Sequence, residues 1–137
     1  MSRVRAKLRD RVRNRAGARC EYCGLPEACS PTRFEADHVI RDQHGVATVF
    51  GNLAWSCFTC NRHRISNLAG IDWKTRKRTW LFNPRRQKWP RHFRWQGAVL
   101  VGRTPVGRVT IRVLGMNLAH QVALRAELMR EGVFPLP

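Results

Sequence analysis

The sequence predicts an α+β fold in which short strands and helices are stapled together by a four-cysteine zinc site. Three observations support this class: two Cys-x-x-Cys pairs, two short β-prone stretches beside them, and an Arg-rich helical pattern at the start. The length of 137 residues corresponds to a single domain, 1–137. We divide it into a basic N-terminal helix (1–18), a zinc-stapled core (19–70), a basic and aromatic segment (71–96), and a C-terminal β-hairpin plus helix (97–137).

The N-terminal segment carries Arg or Lys at every odd position from 3 to 15. As a strand, it would place these like charges on one face, where they repel one another. As a helix, it aligns Val4, Leu8 and Val12 at intervals of four residues, and Gly17 provides a stop. The pattern therefore predicts a basic helix.

The charge balance favours a polyanionic partner. The chain has 26 Lys and Arg against 9 Asp and Glu, a formal net charge of +17. No apolar run approaches the ~20 residues of a membrane span, and the start lacks the apolar stretch of a secretory signal. We therefore expect a cytoplasmic protein with no membrane partner; a mitochondrial transit peptide is a minor alternative for the Arg-rich start.

Four of the five cysteines form two knuckles, Cys20 with Cys23 and Cys57 with Cys60. This spacing lets both thiolates of a pair reach one ion, and two pairs complete a tetrahedral structural Zn2+ site. The alternative is a redox pair, which needs no second copy. Cys29 is left over and is interpreted as a small core residue, with a substitute-ligand role as the alternative.

The chain between and after the knuckles shows a strand–strand–helix pattern. Residues 33–40 and 52–56 are predicted to be paired strands, joined by a polar loop over 41–51, and a helix begins at Phe58. Residues 98–101 and 108–114 are predicted to form a hairpin. Asn117 is a candidate cap for a last helix that runs to about residue 131, where Gly132 ends it.

The chemistry is concentrated around Asp37 and His38. Asp37 and Asn61 offer the hard oxygen ligands that Mg2+ prefers, and Asn61 directly follows a zinc ligand, Cys60. His38 has the residue type suited to accept a proton from water near neutral pH. Asn52 offers an amide oxygen able to orient the imidazole of His38.

This constellation resembles the HNH endonuclease motif in its four-cysteine form: Asp37-His38, then Asn52-Leu53, then Cys57-x-x-Cys60-Asn61. The motif covers about a third of the chain. The resemblance implies a ββα-metal fold, of prokaryotic or phage origin, that hydrolyses phosphodiester bonds of DNA, most simply double-stranded. It implies His38 as general base, Asp37 and Asn61 as ligands of one catalytic Mg2+ or Mn2+, and Asn52 as the residue that positions His38.

The chain departs from the family pattern in having Asn61 where His is frequent, His44-Gly45 where Gly-Gly is frequent, and Arg64 where Lys is frequent. Arg64 is predicted to clamp a phosphate. Basic residues mixed with aromatics over 74–94 suit backbone tracking or base stacking, with packing onto the core as the alternative. The predicted nucleic-acid-binding residues are Arg62, Arg64, Arg76, Lys77, Arg78, Arg85, Arg86 and Lys88.

Simpler roles remain open for each site residue. Asp37 could pair with a neighbouring Arg, His38 could be a buried hydrogen-bonded histidine, Asn52 a turn residue and Asn61 a helix-start cap. The main rival function is a non-catalytic zinc-stapled nucleic-acid-binding module, and an inactive HNH scaffold for a protein partner is a third. The oligomeric state is not readable from the sequence, and a homodimer is one alternative.

Overall fold

The computed structural model describes residues 4–40, 48–65 and 67–135. This part of the chain is mixed α/β, with three small two-stranded antiparallel sheets. The helices are α1 (Ala6–Arg15), α2 (Phe58–Arg64), α3 (Trp89–His92), α4 (Pro105–Val113) and α5 (Ala119–Arg130). The strands are β1 (Glu35–His38), β2 (Leu53–Ser56), β3 (Ala69–Ile71), β4 (Arg78–Trp80), β5 (Phe93–Gln96) and β6 (Val99–Gly102). The predicted loop with His44 and Gly45 lies mostly outside the described residues.

Helix α1 forms where the Arg-rich pattern predicts it. Its apolar stripe faces the core, since Val12 is fully buried and Leu8 packs against buried residues. Gly17 follows the helix with a φ of +66°, a conformation that glycine adopts without steric cost. Part of the basic face is used inside the fold, because Arg9 donates to the Phe34 carbonyl and lies over the Trp55 ring.

The two strands predicted on either side of the polar loop pair as β1 and β2. Asp37 lies opposite Ala54 and His38 opposite Leu53, and β1 ends at His38. Helix α2 follows β2 directly, with Cys57 as its N-cap. The strand–strand–helix order therefore brings the end of β1 and the body of α2 together, and the ββα-metal assignment of this unit remains a proposal.

The hairpin of β3 and β4 packs through one face on α4. Gly70 makes this approach possible, because a Cβ atom there would lie 3.0 Å from Val109 Cγ1 and 3.1 Å from Val113 Cγ2. Register pairs Ala69 with Trp80 and Ile71 with Arg78, so these four residues share the opposite face.

The predicted C-terminal hairpin is wrong in its second strand. The predicted first strand, 98–101, corresponds to β6, and it pairs with β5, which precedes it in the chain. The predicted second strand is instead helical, because residues 105–113 form helix α4. A helix-start signal outweighs the alternation of β-branched residues in this segment. Thr104 accepts a hydrogen bond from the Gly107 N–H at 3.1 Å, and Pro105 occupies the first turn.

The last helix, α5, forms as predicted, but Asn117 does not cap it. The side-chain amide of Asn117 instead pairs with the Leu100 main chain, accepting at 2.9 Å and donating at 2.8 Å, and Leu118 is the N-cap. Gly132, with a φ of +74°, follows the helix as predicted. Among the described residues, no helix is long and apolar enough to cross a membrane.

The segment after β4 covers the first cysteine knuckle. Trp89 donates its indole N–H to the Tyr22 carbonyl at 2.7 Å, and Tyr22 is fully buried. Arg85 pairs with Glu21, and Phe82 packs edge-on against Tyr22. The core-packing alternative is therefore correct for this part of the basic and aromatic segment.

Candidate functional site

The four knuckle cysteines converge as predicted. All four are buried, and their sulfur atoms lie within 4.8 Å of one another. The Sγ atoms of Cys23 and Cys57 are 3.8 Å apart. A tetrahedron with Zn–S bonds of about 2.3 Å has edges of about 3.8 Å, whereas a disulfide needs about 2.05 Å. The donor set therefore fits a closed structural zinc site, and Cys29 lies apart from it, packed against the core.

The electrostatics of the cluster favour a bound cation. Burial alone would raise the pKa of Cys20, but hydrogen bonds from the three neighbouring thiols lower it well below its usual value. The pKa values of Cys23 and Cys60 are raised well above the usual value, first by their hydrogen bonds to Cys20. Four such thiols ionise together only when a divalent ion neutralises them.

Arg125 of α5 adds positive charge next to this cluster. It is 2% exposed, and it donates to the Ala98 carbonyl at 2.9 Å. Burial lowers its pKa, while the thiolates of Cys23, Cys60 and Cys57 act in the opposite direction. Because four thiolates would outweigh the charge of one bound divalent ion, the Arg125 guanidinium would compensate part of the excess.

Asp37 and Arg64 form a buried ion pair. Arg64 Nη1 lies 3.2 Å from Asp37 Oδ2, and the two side chains are 3% and 7% exposed, Arg64 first. Arg64 also donates to the main-chain carbonyls of His38 and Val39. These contacts do not suit the phosphate clamp predicted for Arg64; they fasten α2 to the end of β1 instead.

His38 is 6% exposed, and its Nε2 atom lies 2.6 Å from the Thr48 hydroxyl. Asn52 bonds through its amide to the Ile40 main chain, accepting at 3.0 Å and donating at 2.8 Å. Asn52 thus holds the chain that follows β1, and the Thr48 hydroxyl is a partner of the His38 imidazole that the sequence analysis did not single out. No sequence signal distinguishes Thr48 from other threonines, because its partner is ten residues away across a loop.

Asn61 contributes a buried oxygen that lacks a hydrogen-bond donor. Its Oδ1 atom is fully covered and has no hydrogen-bond partner among the described residues. Asn61 lies one helical turn before Arg64, the residue that contacts Asp37. A buried oxygen without a described donor, on the helix whose Arg64 pairs with the Asp37 carboxylate, suits a ligand of a hard divalent cation.

The other predicted nucleic-acid-binding residues divide into two groups. Arg85 is mostly buried in its pair with Glu21, and burial lowers its pKa to about 10. The remaining predicted cations are exposed: Arg62, Arg76, Lys77, Arg78, Arg86 and Lys88.

Residues 20–67 match the family model described as HNH endonuclease. The match includes both cysteine knuckles, β1, β2 and α2, and it confirms the resemblance carried by the motif. No curated protein and no solved structure matches the chain.

Proposed function

We propose that this protein is a metal-dependent nuclease that hydrolyses phosphodiester bonds of DNA, because residues 20–67 match the family model described as HNH endonuclease. The observation that carries the proposal is the meeting of β1 and α2. Arg64 bonds to both Asp37 and the His38 carbonyl, and the uncompensated oxygen of Asn61 lies one turn earlier on the same helix. Asp37 and Asn61 would hold one Mg2+ or Mn2+.

In this proposal, His38 accepts a proton from the attacking water, and the Thr48 hydroxyl fixes the orientation of its ring. Asn52 holds the backbone after β1, so that His38 stays at the strand end. Arg64 fixes the position of the Asp37 carboxylate. The divalent ion, when bound, neutralises charge that develops on the phosphate and leaving oxygen. The four cysteines would fill the coordination of a bound Zn2+, which would then serve structure only.

The exposed cations supply the attraction for the substrate. Arg62, Arg86 and Lys88 lie on the surface and form no ion pair with the described residues, so they can contact phosphates directly. Binding that depends on such contacts weakens steeply as salt rises, because bound counterions are released.

The test is cleavage of supercoiled plasmid with added Mg2+ or Mn2+, compared with no added divalent ion. We expect His38→Ala to lower the cleavage rate by about 10²–10⁴-fold, with zinc content and DNA binding unchanged. His120→Ala, an exposed histidine on α5, is the matched control. Cleavage by His38→Ala at the wild-type rate would remove His38 from the role of base.

One observation favours the non-catalytic binding module as the second candidate. The Asp37 carboxylate already has a buried cationic partner in Arg64, so its burial does not require a metal ion. If the wild-type protein binds DNA and does not cut it with either ion, this second function replaces the first.

A further inference from the structure

The hairpin of residues 69–80, which we call the tryptophan hairpin, exposes three large apolar side chains. Ile71 is 56% exposed, Trp73 is 65% exposed and Trp80 is 66% exposed. Exposure of two tryptophans within eight residues leaves a large aromatic surface in water, and clusters of this kind mark interaction sites.

The inner face of the tryptophan hairpin packs on α4, whereas its outer face is exposed in the part of the chain that the structure describes. Gly70 lies against Val109 and Val113 of α4. Because side chains alternate along a strand, Ile71, Arg78 and Trp80 share the opposite face. Trp80 is therefore exposed by the register of a packed hairpin, and Trp73 is exposed in the turn that joins the two strands.

The turn that carries Trp73 is held in place by Asp72. The Asp72 carboxylate accepts from the Thr75 N–H at 3.0 Å and from two nitrogens of Arg108 at 2.9 and 3.0 Å. The Arg76 N–H closes the turn onto the Asp72 carbonyl at 2.7 Å. The Arg108 guanidinium lies 5.9 Å from the Trp73 ring centre. A fixed turn lowers the entropic cost of binding.

The charge of this surface is uniformly positive. Four exposed cations lie between the tryptophans: Lys74, Arg76, Lys77 and Arg78. The only acidic residue in 69–80 is Asp72, which is fully buried and paired with Arg108. The chemistry therefore suits a polyanion that also presents flat apolar faces.

We propose that the tryptophan hairpin binds single-stranded nucleic acid, with Trp73 and Trp80 stacking on unpaired bases and the four cations contacting phosphates. Bases in a duplex are stacked on each other and present no free face, whereas unpaired bases stack readily on aromatic side chains. The inference rests on the proposed function only in taking nucleic acid as the ligand. It implies that the substrate contains an unpaired region or opens on binding.

The experiment measures the Kd of a labelled oligothymidylate of about 12 nucleotides and of a duplex of equal length, at one salt concentration and without divalent ions. We expect Trp80→Ala and Trp73→Ala each to weaken binding of the single strand by about tenfold and to leave duplex binding nearly unchanged. Trp80→Phe keeps an aromatic face and should restore most of the affinity. Val133→Ala, an exposed apolar residue outside the hairpin, is the control.

Equal loss of single-strand and duplex affinity, or no loss in either tryptophan variant, would overturn the inference. Binding of anionic lipid vesicles that depends on Trp73 and Trp80, with oligothymidylate binding unaffected by their loss, would assign the surface to a membrane and overturn it as well. Each variant's thermal midpoint shows whether it is folded. Since no cleavage is measured, an inactive protein that still shows the tryptophan-dependent preference would fail the proposed function and support this inference.

Discussion

Arg64 Nη1 lies 3.2 Å from Asp37 Oδ2, with both groups almost wholly removed from solvent. The same nitrogen lies 2.6 Å from the His38 carbonyl oxygen. One guanidinium on α2 therefore binds both the side chain and the main chain at the end of β1. The relative position of the residues proposed for catalysis depends on this contact.

Replacing Arg64 should strongly destabilise the protein. Arg64→Ala removes one buried cation from the Asp37 carboxylate and the donors to two carbonyls, a loss of about 3–5 kcal/mol in the free energy of unfolding. Urea denaturation measures this change. Arg62→Ala, an exposed arginine on the same helix, is the control and should change stability by less than about 0.5 kcal/mol. If both variants unfold at the same urea concentration, the buried pair does not hold α2 to β1.

Replacing Asn61 should abolish the binding of the divalent ion without destabilising the protein. Asn61→Ala removes a buried oxygen without a described donor, so the free energy of unfolding without divalent ions should stay the same or rise, by up to about 1–3 kcal/mol. A bound ion stabilises the folded state, so Mn2+ should raise the thermal midpoint of the wild type and not that of Asn61→Ala. Thr59→Ala on the same helix is the control. An equal response to Mn2+ in the wild type and Asn61→Ala would exclude Asn61 as a ligand.

Removing the zinc should unfold the core. Apparent binding free energies of structural zinc sites are about 10–16 kcal/mol at neutral pH. No disulfide bond joins the two knuckles, since all five cysteines are free thiols. We expect Cys20→Ser to lose zinc and cooperative unfolding, and Cys29→Ser to keep both. Metal analysis by mass spectrometry together with thermal denaturation provides the measurement. Zinc retained by Cys20→Ser at the wild-type level would contradict the four-cysteine site.

The stabilising contribution of the Asp72–Arg108 ion pair should be lost in acid. Hydrogen bonds from Arg108 hold the pKa of Asp72 well below its usual value, against the opposing effect of burial. A depressed pKa in the folded state contributes stability above the unfolded pKa of about 3.9, and this contribution is lost as the pH falls below it. Unfolding in urea at about pH 6 and about pH 4, with Zn2+ in excess so that the cysteine site stays filled, should therefore show a smaller pH effect in Asp72→Asn than in the wild type.

The control for this measurement is Asp10→Asn, which changes an exposed carboxylate on α1. It should show the pH effect of the wild type. The interpretation fails if Asp72→Asn also keeps the full wild-type pH effect.

Features set by short-range patterns could be predicted from the sequence. The cysteine spacing predicts the sulfur cluster, and the Val4, Leu8 and Val12 stripe predicts α1, because each pattern has a direct geometric meaning. Alternating Val109, Ile111 and Val113 misled the prediction, since a strand and a helix can both bury this set. The start signal at Thr104 and Pro105 decides for the helix.

Contacts between distant segments could not be predicted. The partners of Arg64 lie 25 to 27 residues before it, so its sequence position indicates a phosphate contact as readily as an ion pair. The burial of the aromatic residues in the basic segment also depends on contacts with distant parts of the chain. Trp80 and Trp89 both have basic residues nearby in the sequence. Trp80 is nevertheless exposed, whereas Trp89 donates a hydrogen bond to the Tyr22 carbonyl, because tertiary packing decides which ring is covered.

The covering of Tyr22 by Trp89 and Phe82 limits how far segment 20–67 can be transferred into another protein as an independent unit. The segment 20–67 has part of its interior completed by residues that come later in the chain. A graft of this segment alone onto another protein would expose Tyr22 and remove the ion partner of Glu21. Recombination that preserves function should therefore exchange the segment together with the chain that covers it.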